Sequence, residues 1–158
     1  MSLTLSESNH SGVGLEYYIE HEFKSRNVLV QYYSVNANNH DLFVEGILLK
    51  CVPYTNIYGC RSTSEFVYSH GPVAVRIECR RQDVSGSVDE KFPYLLMNAI
   101  EAMPENNIWF VVDGNGARKK ALEWLHRKAR SYGSKNIRLY NLTEARIAIK
   151  NLLTKGEL

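Results

Sequence analysis

The chain has 158 residues, 44% hydrophobic and 23% charged, which is enough apolar material for one core and excludes a disordered chain. Nineteen Lys and Arg against 17 Asp and Glu leave a formal charge of only +2, so the chain as a whole is not a strongly basic nucleic-acid coat, and only a local patch can serve that purpose. Three cysteines, Cys51, Cys60 and Cys79, show neither the even count of a disulfide framework nor C-x-x-C spacing, and read as reduced thiols. No stretch approaches the ~20 apolar residues of a membrane span, and the first residues lack the basic start and apolar run of a signal peptide. The expectation is a soluble, cytoplasmic protein with no membrane partner. Residues 1–13 read as a disordered lead and 14–158 as a single domain.

In LEYYIEHEFKSR (15–26), Leu15, Tyr18, Ile19 and Phe23 recur near helical spacing. They predict a first helix with that stripe inward and Glu16, Glu20 and Glu22 outward. NVLVQYYSV (27–35), rich in Val and Tyr, reads as a strand, and NANNHD (36–41) as a loop. LFVEGILLKCV (42–52) is apolar, interrupted by Gly46, and fits a strand or a short helix. PYTNIYGCR (53–61) reads as a connection punctuated by Pro53 and Gly59.

TSEFVYS (63–69) and VAVRIEC (73–79) are short strands joined by His70-Gly71-Pro72, which predicts an antiparallel hairpin. In the second, Val73, Val75, Ile77 and Cys79 alternate with Ala74, Arg76, Glu78 and Arg80. A period of two puts Glu78 and Arg80 on one face, and Glu65 and Val67 on one side of the first strand. The register between the two stays open.

SVDEKFPYLLMNAIEAM (87–103) reads as a helix, with Ser87 and Glu90 spaced as a capping box and Pro93 in the tolerant first turns. NIWFVVDG (107–114) has the continuous apolar run of a buried strand. ARKKALEWLHRKARSY (117–132) is an amphipathic helix with Ala121, Leu122, Trp124, Leu125 and Ala129 inward. NIRLYNL (136–142) is a strand, and TEARIAIKNLLTK (143–155) a closing helix capped by Thr143. The order implies an α/β fold: a mixed sheet flanked by helices on both faces.

The charged stretch is RIECRRQ (76–82), and the acid on the preceding strand is Glu65. An acid on one hairpin strand and E-x-R-x-Q on the next, between two helices, resembles the PD-(D/E)xK nuclease superfamily, the restriction-endonuclease-like fold. The resemblance spans Gly14 to the last strand. GSVDEKFPYLLMNA, VVDGNGARKKALEWL and IRLYNLTEA are similar to phage- and prophage-associated or restriction-type nucleases within it. It implies a metal-dependent DNA endonuclease using Mg2+ or Mn2+. Glu65 and Glu78 hold the ion, the Cys79 carbonyl adds an oxygen, and Glu16 lends a further carboxylate. Arg80 contacts the phosphate, and Gln82 matches the glutamine of the extended motif.

The chemistry has its own reason. Phosphodiester hydrolysis needs a divalent ion to polarise the phosphate and lower the pKa of a water, and Mg2+ takes a few carboxylate oxygens plus waters in octahedral array. Two features depart from the pattern. Glu65 stands where the family has Asp, and Arg80 where it has Lys. Arginine clamps phosphate well but does not exchange a proton, so Lys91, at the start of the next helix, is a candidate replacement for the missing amine. The departures also fit a DNA-binding module with a degraded site, or a scaffold that docks a protein partner. Arg81, Arg118, Lys119 and Lys120 are the candidate phosphate-tracking residues for DNA. A nuclease that cuts both strands also suggests a homodimer.

Plainer readings compete. E-x-R at a strand end is commonly a cross-strand ion pair, and Asp89 and Glu90 suit a helix N-terminus. VVDGNGARKK lacks both the third glycine of a dinucleotide loop and the Gly-Lys-Ser/Thr of a P-loop, so it reads as a strand-to-helix turn with Asp113 near a cleft. Cys79 with His70 suggests a thiol nucleophile, but Cys79 alternates with core residues. The five histidines lack zinc spacing.

Overall fold

The computed structural model describes residues 14–34, 46–84 and 86–158. The expected lead over 1–13, the loop over 36–41 and the start of the ambiguous apolar segment at 42–45 lie outside them. The elements in chain order are α1 (Leu15–Lys24), β1 (Leu29–Tyr32), β2 (Ile47–Thr55), β3 (Arg61–His70), β4 (Val73–Arg81), α2 (Val88–Glu101), β5 (Asn107–Asp113), α3 (Lys119–Ser131), β6 (Asn136–Tyr140) and α4 (Leu142–Lys155).

The strands form one six-stranded sheet in the order β1-β2-β3-β4-β5-β6. β1 runs parallel to β2, β3 is antiparallel to both β2 and β4, and β4, β5 and β6 run parallel. The parallel steps need crossovers, and α2 and α3 supply two of them. On one face Leu15, Ile19 and Phe23 of α1 and Ala145, Ile149 and Leu152 of α4 pack against Tyr68, Val75, Ile77, Cys79, Trp109 and Val111. On the other, Phe92, Leu95 and Leu96 of α2 and Leu125 and Ala129 of α3 cover Ile108, Phe110, Val112 and Ile137. β5 contributes to both clusters, as its unbroken apolar run predicts. This is the restriction-endonuclease-like α/β architecture with helices on both faces.

Several local expectations change. From Ile47 on, the apolar segment resolves as β2, and Pro53, Tyr54 and Thr55 extend that strand rather than forming a connection. Pro53 is tolerated because the β1 partner ends opposite Lys50, which leaves β2 open on that side. The actual turn is Asn56–Cys60, whose Asn56 side chain accepts from the Tyr58 and Cys60 amides at 3.0 Å. Glu22, expected outward, is buried. Arg26 at 2.6 Å and Arg146 of α4 at 2.5 Å hold it, so the α1–α4 seam supplies the cations that make burial tolerable. Burial alone would raise its carboxyl, but the two arginines hold it below its ordinary value. Asn141, not Thr143, caps α4, in a complete capping box with Glu144. Ser87 precedes α2 without a side-chain hydrogen bond.

Candidate active site

The site lies where β3 and β4 part. The β2–β3 ladder kinks at Cys51 and Glu65. Ile47 and Leu49 share a buried cluster with Val67, but beyond the kink it is Val52 that joins them, so the alternation slips by one. Cys51 has a left-handed φ of 54°. The β3–β4 backbone pairing ends at Phe66 and Ile77. One step further, the Cys79 amide donates to Glu65 Oε2 at 2.9 Å in place of a ladder bond. Glu65 therefore reaches across to β4, and Ser64 takes the face shared with Val67, correcting the simple period-two expectation for Glu65.

Glu78 sits one residue before Cys79, on the opposite face from the apolar Ile77 and Cys79. Only 1% of it is exposed. Ser64 Oγ bonds one carboxylate oxygen, Oε1, and Arg80 Nη2 donates to the other, Oε2, at 2.9 Å. Arg80 Nη1 donates to Glu65 Oε1 at 3.2 Å and to the Cys79 carbonyl at 2.6 Å. One guanidinium thus faces the three oxygens that the sequence assigned to a cation. Burial, helped by the Glu65 charge, raises the Glu78 carboxyl to about 7 against the opposing pull of Arg80, Ser64 and Arg76.

The residues fit a hard divalent ion on chemical grounds. Three oxygens, two from carboxylates and one from a carbonyl, converge on a single positive group at the end of a strand, and the donor set is the one Mg2+ and Mn2+ use. Among the described residues no group of three or more His, Cys, Asp or Glu side chains gathers, here or elsewhere, so the third oxygen of this set is the backbone carbonyl of Cys79.

The other predicted residues distribute unevenly. The Cys79 thiol packs in the core, and burial holds it well above its ordinary pKa, so only its backbone serves the site and the thiol-nucleophile reading falls. Glu16 is exposed on the first turn of α1, and its charge reaches the Cys79 thiol. Lys91 is exposed on α2, and no hydrogen bond or ion pair among the described residues joins it to either carboxylate.

Gln82 acts as a bracket. Its side chain accepts from the Val88 amide at 2.9 Å, which caps α2 in place of Ser87. Its backbone bonds the Asp113 carbonyl and the Gly116 amide. A Cβ on Gly116 would lie 2.1 Å from the Val84 carbonyl oxygen, so the glycines after β5 admit the β4–α2 loop rather than a nucleotide. Arg81 pairs with Asp83 at 3.2 Å. Arg118 pairs with Asp89, tying α3 to α2, while Lys119 and Lys120 remain exposed on the first turn of α3.

Sequence reasoning missed Ser64, Tyr54, Arg76 and Glu105. Arg76 was visible as a charged residue on the Glu78 face; Glu105 lies in a loop with no pattern to mark it. Arg76 is 1% exposed and pairs with Glu105.

A mixed sheet with a carboxylate pair at the mouth of its central hairpin defines the class, an α/β domain of nuclease type. Residues 7–153 match the family model of a PD-(D/E)XK nuclease superfamily domain, and the chain belongs to that superfamily. Its function is accordingly of the nuclease type, in a superfamily that generally uses divalent metals. No curated protein matches the chain. Among the described residues no helix is long and apolar enough to cross a membrane.

Proposed function

We propose that the protein is a DNA endonuclease dependent on Mg2+ or Mn2+. The observation that carries this reading is the convergence of Glu65 Oε1, Glu78 Oε2 and the Cys79 carbonyl on one cationic group. In the catalytic state Glu65, Glu78 and the Cys79 carbonyl would hold the ion, with the Arg80 guanidinium displaced from these oxygens. When bound, it supplies Lewis-acid polarisation of the phosphate and a more acidic water. Arg80, about a third exposed, swings outward and clamps the scissile phosphate, a role suited to its planar fork. Glu16 adds a carboxylate from α1, and Lys91 supplies the proton-exchanging amine that Arg80 lacks. Gln82 orients the site by fixing the β4–α2 loop. Arg81, Arg118, Lys119 and Lys120 track the phosphate backbone. Two copies acting together would cut both strands.

A second reading rests on the same contacts. Arg80 already satisfies all three oxygens, so it can be a permanent stand-in for the ion, leaving a DNA-binding domain that does not cleave. Nicking of supercoiled plasmid with Mg2+ or Mn2+ separates the two. The nuclease reading requires cleavage by the wild type and its loss in Glu78→Ala. Salt-sensitive DNA retention without cleavage supports the second reading, and neither activity rejects both. Lys91→Ala with cleavage intact, beside an inactive Arg80→Ala, removes Lys91 from the mechanism.

A further inference from the structure

Beneath the carboxylate pair lies a second polar layer. Arg76 projects from β4 on the same face as Glu78 and is 1% exposed. Its Nη2 donates to Glu105 Oε1 at 2.9 Å and its Nε to Glu105 Oε2, a two-point clamp from the loop before β5. Its Nη1 donates to the Val52 carbonyl at 3.2 Å and to Ser64 Oγ at 2.9 Å. The Tyr54 ring lies 5.3 Å from the guanidinium carbon. Nearly every N–H direction of this arginine is therefore engaged.

The consequence falls on Ser64. A hydroxyl has one hydrogen, and arginine has no acceptor. Ser64 Oγ must accept from Arg76, so its hydrogen goes to Glu78 Oε1. Glu78 Oε1 is thereby held by the Ser64 hydroxyl, and Oε2 is the oxygen that shares the Arg80 guanidinium with Glu65 Oε1 and the Cys79 carbonyl. Stability alone does not explain the arrangement, because apolar residues of similar volume often serve as well as a buried ion pair.

We propose that Ser64, oriented by Arg76 and Glu105, restricts Glu78 to a one-oxygen ligand and so tunes the site to small octahedral cations over Ca2+. The inference rests on the metal-dependent reading above and names the residues that set its ion selectivity. Mg2+ and Mn2+ take single carboxylate oxygens and keep waters, whereas Ca2+ gains from two-oxygen carboxylates at a higher coordination number. Ser64 and Arg76 are positioning residues; neither touches the substrate.

The test is Mn2+ binding followed by electron paramagnetic resonance, with Ca2+ titrated as competitor. Wild type, Ser64→Ala and Ser64→Thr are compared, each also with Arg80→Ala, and urea unfolding controls for folding. Ser64→Ala frees Oε1, and the ratio of Ca2+ to Mn2+ affinity is expected to rise about tenfold, the scale on which partners of ligands act. Ser64→Thr, which keeps the hydroxyl, holds the wild-type ratio. Should Ser64→Ala fail to fold, Ser64→Cys, a weak donor of similar size, carries the same expectation. A purely structural role moves the unfolding midpoint and leaves the ratio alone. Mn2+ binding with an unchanged ratio in Ser64→Ala overturns the inference and spares the metal reading, as does an equal shift in Ser64→Thr. Absence of divalent binding in both wild type and Arg80→Ala overturns the metal reading and the inference with it.

Discussion

Arg80→Ala is the sharpest perturbation of the site. The guanidinium donates to Glu78 Oε2 at 2.9 Å, to Glu65 Oε1 at 3.2 Å and to the Cys79 carbonyl at 2.6 Å. Its removal leaves a 1%-exposed carboxylate facing a like charge. Breaking a buried pair by deleting one partner costs about 3–5 kcal/mol. Arg80 is 32% exposed, so water enters the vacated space and screening brings the cost below that range, to about 2–3 kcal/mol. For a domain of this size that is a fall of about 4–12 °C in Tm. The loss should depend on pH. Without its cation Glu78 is pushed further upward, so the penalty is small near pH 5, where the carboxyl is protonated, and full near pH 8. Urea unfolding of wild type and variant at pH 5 and pH 8, with and without Mn2+, measures it. Mn2+ should restore the variant more than it stabilises the wild type, because in the wild type it must displace the arginine. Equal stability of the two proteins at pH 8, or a deficit indifferent to both pH and Mn2+, would refute the claim that Arg80 occupies the cation position.

Other outcomes follow from the same geometry. Glu78 titrates near 7 in the folded chain against an ordinary value of 4.5, so the fold binds the extra proton between those pH values; its contribution is full below pH 4.5 and lost as pH rises through 7. The stability difference between wild type and Glu78→Gln should therefore change by about 3 kcal/mol across that window, read by urea titrations at several pH values. Glu22, held below its ordinary value, acts in the opposite sense, and Glu22→Gln should remove stability present above pH 4.5 and absent well below it. Gly116→Ala forces a Cβ to within 2.1 Å of the Val84 carbonyl oxygen and 2.6 Å of Gln82 Cγ, which should cost about 1–3 kcal/mol by chemical denaturation and loosen the start of α2 in hydrogen exchange. Asn141→Ala removes the α4 cap and should cost about 1 kcal/mol, whereas Thr143→Ala should cost much less.

Local periodicity was sufficient for much of the fold. The alternation of Val75, Ile77 and Cys79 with Arg76, Glu78 and Arg80, the unbroken run of β5 and the stripe of α3 each reflect a face repeating at the period of its own element. The E-x-R motif likewise placed Glu78 and Arg80 together, because residues two apart on a strand must share a side. What came only from tertiary structure involves partners distant in the chain. Whether 47–52 was strand or helix depended on which neighbours would pair with it. Glu22 is buried because Arg146, 124 positions away, meets it. Gln82 rather than Ser87 caps α2, because the loop folds back over Gly116. The kink at Cys51 and Glu65 belongs to two strands at once and brings Ser64 to Glu78, and Arg76 meets Glu105 only because β5 pairs beside β4. A sequence pattern records what each residue prefers along its own element; which charges share a buried space is decided only when the elements pack.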